Sequence, residues 1–199
     1  MKNLSRSVSM FVLGLLVGPM VLVGGLVGCA TPINDQAIDD FNEAAAAVVS
    51  PGVSPDAAER GLENWKALLS NLTVENIRGK AARVYAERTF FNDTLKTLRT
   101  SAEIEEYLLE TAGMLESGSV EFRDTVRSED GSYYVRWEMV YRGRKLGGGE
   151  AIRTIGMSQL RFDESGRVIL HQDFWDASRG IFEHLPLIGT QVRWVKGRL

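Results

Sequence analysis

At Gly118 the hydrophobic period of the chain changes from about 3.6 residues to about 2, which restricts the fold to helices followed by strands. Upstream, apolar residues recur at three- and four-residue steps. Ile38, Phe41, Ala45 and Val48 predict a helix over 36–49, stopped by Ser50-Pro51-Gly52. Ser54 then reads as an N-cap, with Pro55 at the first helical position and Asp56 and Glu59 in the favourable first turn. Leu62, Trp65, Leu68, Leu69 and Leu72 form the stripe of this second helix. A third helix is predicted over 73–85, with Ile77, Ala81, Val84 and Tyr85 inward, and Thr89-Phe90-Phe91 as a short extended piece ending at an Asn92-Asp93 turn. Thr100 and Glu103 form a capping box, because each side chain can satisfy the other's free amide. It opens a helix whose inner face is Ile104, Tyr107, Leu108 and Ala112.

Beyond Gly118, Val120, Phe122, Asp124 and Val126 alternate with Glu121, Arg123, Thr125 and Arg127. Glu129-Asp130-Gly131-Ser132 is a hairpin turn signal. Tyr133, Val135, Trp137, Met139 and Tyr141 alternate in the next strand, glycines 143 and 147–149 turn the chain, and further strands are predicted over 152–162 and 168–175. The expectation is an α+β domain, with helices packed on one face of a curved antiparallel sheet of about four long strands.

The first 28 residues belong to a different category. Lys2 and Arg6 precede an apolar run from Met10 to Val27, which reads as a secretory signal. It ends in Leu26-Val27-Gly28-Cys29, which resembles a bacterial lipobox, so Cys29 is the expected lipidation site (palmitate among its acyl chains) and the first mature residue. Ala30 follows where Asp would resemble an inner-membrane retention signal, so the expected location is the outer membrane, facing the periplasm. Several acyl chains anchor stably where one binds reversibly. The chain then divides into a signal peptide (1–28), a lipidated tether with the first helix (29–53), a domain (54–177) and an apolar, basic tail (178–199). With Lys2 and Arg6 removed, 21 of the 23 basic side chains remain against 26 acidic ones. That acidic balance argues against nucleic acid as a partner. One cysteine closes no internal disulfide, and two histidines without a cysteine cluster suggest no metal site; no cofactor motif appears either.

Phe91-Asn92-Asp93, the 98–108 stretch and Leu160-Arg161-Phe162-Asp163-Glu164-Ser165-Gly166-Arg167-Val168 running into His171-Gln172-Asp173-Phe174-Trp175-Asp176 resemble a SnoaL-like domain of the nuclear transport factor 2-like superfamily. The similarity covers residues 55–187. It implies a bent sheet wrapped round helices with a conical pocket, a fold that hosts isomerases, dehydratases, cyclases, epoxide hydrolases and non-catalytic binding domains. Fold alone therefore leaves function open.

Side chains two apart on a strand share a face, which places His171, Asp173 and Trp175 together. His171 and Asp173 are candidate acid/base residues, and Asp124 is a third candidate if its otherwise apolar face looks into the pocket. Trp137, Tyr133, Tyr141 and Trp175 are candidate pocket walls. The same residues also suit structural roles: a His-x-Asp hydrogen-bonded pair, a solvent-facing Asp124, core aromatics, and Asp176 as a cap. Neither the full Tyr/Asp/Asp set of ketosteroid isomerases nor the carboxylate–Arg set of epoxide hydrolases is recognisable. The leading expectation is thus a non-catalytic module binding a small apolar ligand or an envelope protein. The alternative is a cofactor-free isomerase, dehydratase or hydrolase for a small apolar carbonyl compound. A homodimer through the sheet face is a further expectation. In the tail, Pro186 and Gly189 separate two short pieces; Phe182 and Leu185 are expected to close the cone, with Trp194 and its neighbouring bases at a membrane surface as the competing reading.

Overall fold

The computed structural model describes residues 35–47 and 53–199. The signal segment, Cys29 with its lipobox, and the Ser50-Pro51-Gly52 stop lie outside these residues. Asn34–Leu199 forms one compact unit. Both buried apolar clusters are built from within it, so it carries its own folding core.

Helix α1 spans Gln36–Ala47 and α2 spans Pro55–Leu69, the latter capped as expected by Ser54, whose side chain accepts from the Ala57 amide. The single helix expected over 73–85 is instead two turns, α3 (Val74–Ile77) and α4 (Ala81–Val84), broken where Gly79 takes a φ of 70°. Tyr85 then starts strand β1 (Tyr85–Asn92), which pairs with the short β2 (Thr97–Thr100). Helix α5 (Ser101–Met114) carries the Thr100–Glu103 capping box. The long strands are β3 (Leu115–Arg127), β4 (Tyr133–Gly143), β5 (Ile152–Phe162) and β6 (Val168–Trp175). Two short helical turns, α6 (Ala177–Gly180) and the 3₁₀ segment Phe182–His184, precede α7 (Ile188–Lys196).

The sheet has six strands, ordered β2-β1-β6-β5-β4-β3. The four long strands are those expected, and β1 and β2 extend them. The sheet is mixed rather than antiparallel, because β1 runs parallel to β6. That pairing joins residues as far apart in sequence as Tyr85 and Val168 and leaves no local sequence signal. The face bearing Tyr85, Phe91, Val135, Leu160, Phe162 and Val168 packs on α2, α4 and α5 around the fully buried Trp65, Leu68, Ile77 and Ile104. Helix α1 departs from the expectation of helices on one face. Phe41, Ala44 and Ala45 pack against Phe90 and Leu170, which alternate with Phe91 and His171 and so point out of the other face. Arg161, its side chain 8% exposed, holds this arrangement by donating to the Ala45 carbonyl at 2.6 Å and to Asp130 at 2.6 Å.

Helix α2 comes close enough to the β5–β6 turn that side chains would not fit. A Cβ on Gly61 would lie 2.1 Å from the Gly166 carbonyl oxygen, and Gly166 itself has a φ of 84°.

Candidate functional site

Between α2, α5 and the inner face of the sheet lies a cavity of about 840 Å³, within the range of small-molecule sites. Its walls are mainly apolar, including Leu69, Phe91, Leu108, Val120, Phe122 and Met139. The C-terminal segment adds Ile181 and Leu185. Of these, Leu185 is the one expected to close the cone; Phe182 is exposed and does not line it.

At the closed end stand His171 and Asp173, side by side on β6. The Tyr85 hydroxyl lies 2.9 Å from His171 Nδ1, and His171 Nε2 lies 2.8 Å from Asp173 Oδ1. With the phenol donating to Nδ1 and the carboxylate accepting from Nε2, the network places the ring proton on Nε2. Ser158 also donates to Asp173 Oδ1 and accepts from Trp137 Nε1 at 2.9 Å. Burial, followed by the Asp173 charge, pushes the Tyr85 hydroxyl well above its ordinary value, so it remains a donor. Asp173 Oδ1 therefore accepts twice. Oδ2 has no hydrogen-bond partner among the described residues and belongs to a residue lining the cavity.

A second carboxylate, Asp93, sits at the β1–β2 turn. Its Oδ1 accepts from the Leu95 and Lys96 amides at 2.9 and 2.8 Å, and its Oδ2 accepts from the Tyr107 hydroxyl. Burial first, then the Asp93 charge, raises Tyr107 far above the usual phenol range. Tyr107 and Asp93 both line the cavity. Sequence reasoning placed Tyr107 inward on its helix and read Asn92-Asp93 as a turn; it could not place them across from β6. Tyr85 and Ser158 were likewise missed as site residues, because their roles depend on strand pairing.

Trp137, Tyr141 and Trp175 line the cavity. Gly156, between Trp137 and Trp175 in the pairing of β4, β5 and β6, makes room for both, since a Cβ there would meet Trp137 at 2.4 Å and Trp175 at 2.7 Å. Tyr141 donates to the Gly180 carbonyl, and burial pushes its hydroxyl up to about 12. Tyr133 is not a wall; it is buried in the core with its ring centroid 5.5 Å from that of Phe162. Asp124 is not a pocket acid either. A bulge between Phe122 and Thr125 inserts a residue into β3, so alternation reverses and Asp124 faces solvent, 66% exposed and paired with Arg136 at 2.7 Å. Asp176 caps α6 by accepting from the Arg179 amide. Among the described residues no group of three or more His, Cys, Asp or Glu is arranged to hold a metal ion.

No protein-family model matches the chain, and no curated protein matches it in sequence. Solved structures do match. An M. tuberculosis LEH-like epoxide hydrolase aligns at 14% identity and TM-score 0.51, over 70% of this chain and 98% of that one. A Catenulispora acidiphila protein with a ketosteroid isomerase-like fold, solved with trimethylamine, aligns at 13% identity and TM-score 0.52, over 66% and 93%. An Acidithiobacillus ferrooxidans protein assigned as a polyketide cyclase aligns at 15% identity and TM-score 0.51, over 69% and 95%. The chain thus has the cone-shaped nuclear transport factor 2-like fold that the SnoaL-like resemblance implied. That fold and this cavity fit a module that binds, or acts on, a small molecule.

Proposed function

We propose that the cone binds a small apolar carbonyl compound and moves a proton on it, with Asp173 as the base. The observation that carries this reading is Asp173 Oδ2, an unbonded carboxylate oxygen in a mainly apolar cavity. Holding such a group away from full hydration costs stability, so its retention suits chemistry better than packing. Asp173 takes a proton from the carbon next to the carbonyl, and His171, fixed by Tyr85, keeps the carboxylate in place. Tyr107, kept protonated, is the donor available to turn from Asp93 toward the developing enolate oxygen. No further group is needed for these steps.

The test is α-proton exchange of a cyclic ketone such as cyclohexanone in D₂O, followed by NMR. The expected result is exchange accelerated by the protein, falling about a hundredfold or more in Asp173→Asn, the usual contribution of a general base. The non-catalytic reading rests on a different observation: His171, Asp173 Oδ1 and Asp93 are all saturated by hydrogen bonds within the fold. Binding without accelerated exchange would select it.

The location belongs to the same proposal: a lipoprotein anchored through Cys29 at the outer membrane, facing the periplasm. The lipobox supports it, and Cys29 is the single cysteine of the chain. Cys29→Ser should leave an uncleaved precursor; normal processing would refute the anchor. Val140, Ile155, Met157 and Phe174, exposed on β4, β5 and β6, support pairing with a second copy through the sheet face.

A further inference from the structure

The cavity is electrically polarised from end to end. Its closed end holds the carboxylate of Asp173 among His171, Ser158 and Trp137, whose exposures are 1%, 1% and 8%. Its open end is formed by the β1–β2 turn, the start of β3 and the β4–β5 loop, and there Lys96, Arg144 and Lys145 line the cavity while remaining exposed. None of the three forms an ion pair with a described carboxylate; the Arg144 guanidinium spends only its Nε, on the Gly113 carbonyl at 3.3 Å. Asp93, beside Lys96, keeps its negative charge while its oxygens accept from two amides and the Tyr107 phenol, so three cations against this one carboxylate still leave a positive surplus there. Three exposed cations, none in an ion pair among the described residues, thus line the cavity of a chain whose net charge is -3. Leu95, Met114, Leu115, Leu146 and Leu185 line the cavity beside them.

We infer that the cone takes an amphipathic anion: an apolar body inserted toward Asp173, and one acidic group held at the mouth by Lys96, Arg144 and Lys145. This rests on the cone being a small-molecule site, and it names the class of molecule. The charges fix the direction of entry. An acidic group at the closed end would meet Asp173 with no cation to balance it and would lose its hydration. At the mouth the same group keeps part of its water and meets two ammonium groups and a guanidinium, which attract it in a way that salt screens. The carbon chain replaces water against leucine and methionine side chains, which supplies the affinity. The end of the molecule presented to Asp173 is therefore the one remote from its charge.

The test is calorimetric titration of the compact unit Asn34–Leu199 with decanoate, decanol, decyltrimethylammonium and acetate. Decanoate should bind tightest, acetate should show no saturable binding, and decanoate affinity should weaken as salt rises. In the K96E/R144E/K145E variant decanoate affinity should fall about tenfold or more, as three partly exposed pairs are reversed in sign, and decyltrimethylammonium should become the preferred ligand. A conservative K96Q/R144Q/K145Q variant with an unchanged melting temperature should lose the preference for decanoate over decanol. Equal binding of the three ten-carbon probes, or decanoate binding indifferent to all three cations, overturns the inference while leaving the cone as a site. Absence of binding by every probe would defeat the small-molecule reading itself.

Discussion

His171 is useful to Asp173 only in one tautomer, which Tyr85 and the Asp173 carboxylate set together. With the phenol donating to Nδ1, the ring carries its proton on Nε2 and spends it on Asp173 Oδ1, leaving Oδ2 without a hydrogen bond among the described residues. Tyr85→Phe should therefore act twice. It leaves Nδ1 unpaired in a ring only 1% exposed, which should cost roughly 1–3 kcal/mol in thermal or urea unfolding. It also removes the hydrogen bond that fixes the ring's position behind Asp173, so α-proton exchange should fall while ligand affinity holds. A variant with unchanged stability and unchanged exchange would show that Tyr85 does not position the pair. How legible was this site in sequence? His171, Asp173 and Trp175 were, because alternation on one strand is a local property. Tyr85, Ser158, Asp93 and Tyr107 were not, since each reaches the site through long-range pairing or helix docking. Asp124 was misplaced for a related reason: a bulge shifts the face of every residue after it, and nothing local announces one.

At the scale of elements, the C-terminal segment divides its work between its two pieces. The first piece closes the cavity. Ile181 and Leu185 line it, Gly180 receives the Tyr141 hydrogen bond, and a Cβ on Gly180 would lie 2.3 Å from Trp175. The second piece, α7, is held through Glu183: Arg193 donates to its carbonyl and Lys196 pairs with its carboxylate at 2.5 Å. Ile188, Trp194 and Val195 remain exposed, and Arg198 stacks on Trp194 at 4.0 Å. An exposed aromatic among bases is a composition suited to an anionic membrane surface. Removing 192–199 should therefore change unfolding free energy by less than about 1 kcal/mol, as exposed segments usually do, and should weaken co-sedimentation with anionic vesicles. Leu185→Asp, by contrast, should lower the melting temperature and abolish decanoate binding. A large stability loss on truncation with vesicle binding unchanged would assign the second piece to the domain instead. The helices opened by Ser54 and Thr100 and the four long strands were readable from caps, turns and periodicity, whereas the break at Gly79, the short β2, the parallel β1–β6 contact and the docking of α1 on the far face were not, because they depend on tertiary packing.

For the molecule as a whole, those long-range contacts bound stability in pH from both sides. On the acid side stands Asp130, whose carboxyl is held well below the usual range by Ser128 first, then by the Ser132 amide and by Arg161. A depressed native value means that the unfolded chain takes up the proton first as pH falls. The contribution of Asp130 is thus present above the ordinary carboxylate value and is lost below it. Its side chain is half exposed, so the loss should be modest, and Asp130→Asn should flatten this limb while loosening α1 through Arg161. On the alkaline side stand Tyr85, Tyr107 and Tyr141, three of the five tyrosines, all raised, chiefly by burial. Here the sign reverses. Above the ordinary phenol value of 10.0 the unfolded chain releases protons that the native chain retains, so stability is intact below that pH and falls as pH rises past it. Unfolding free energies measured by urea at pH 8 to 11 should decline at the top of that span. Phenolate absorbance of these three groups should appear together with the loss of structure rather than before it. Tyr107→Phe should weaken the decline, because one retained proton is gone. It should do so with little change at pH 8, where Asp93 still accepts from the Leu95 and Lys96 amides. If the absorbance of all five tyrosines rose in one ordinary titration while the fold persisted, the cone would be open to water around Tyr85. The closed end would then be too wet for Asp173 to act as proposed.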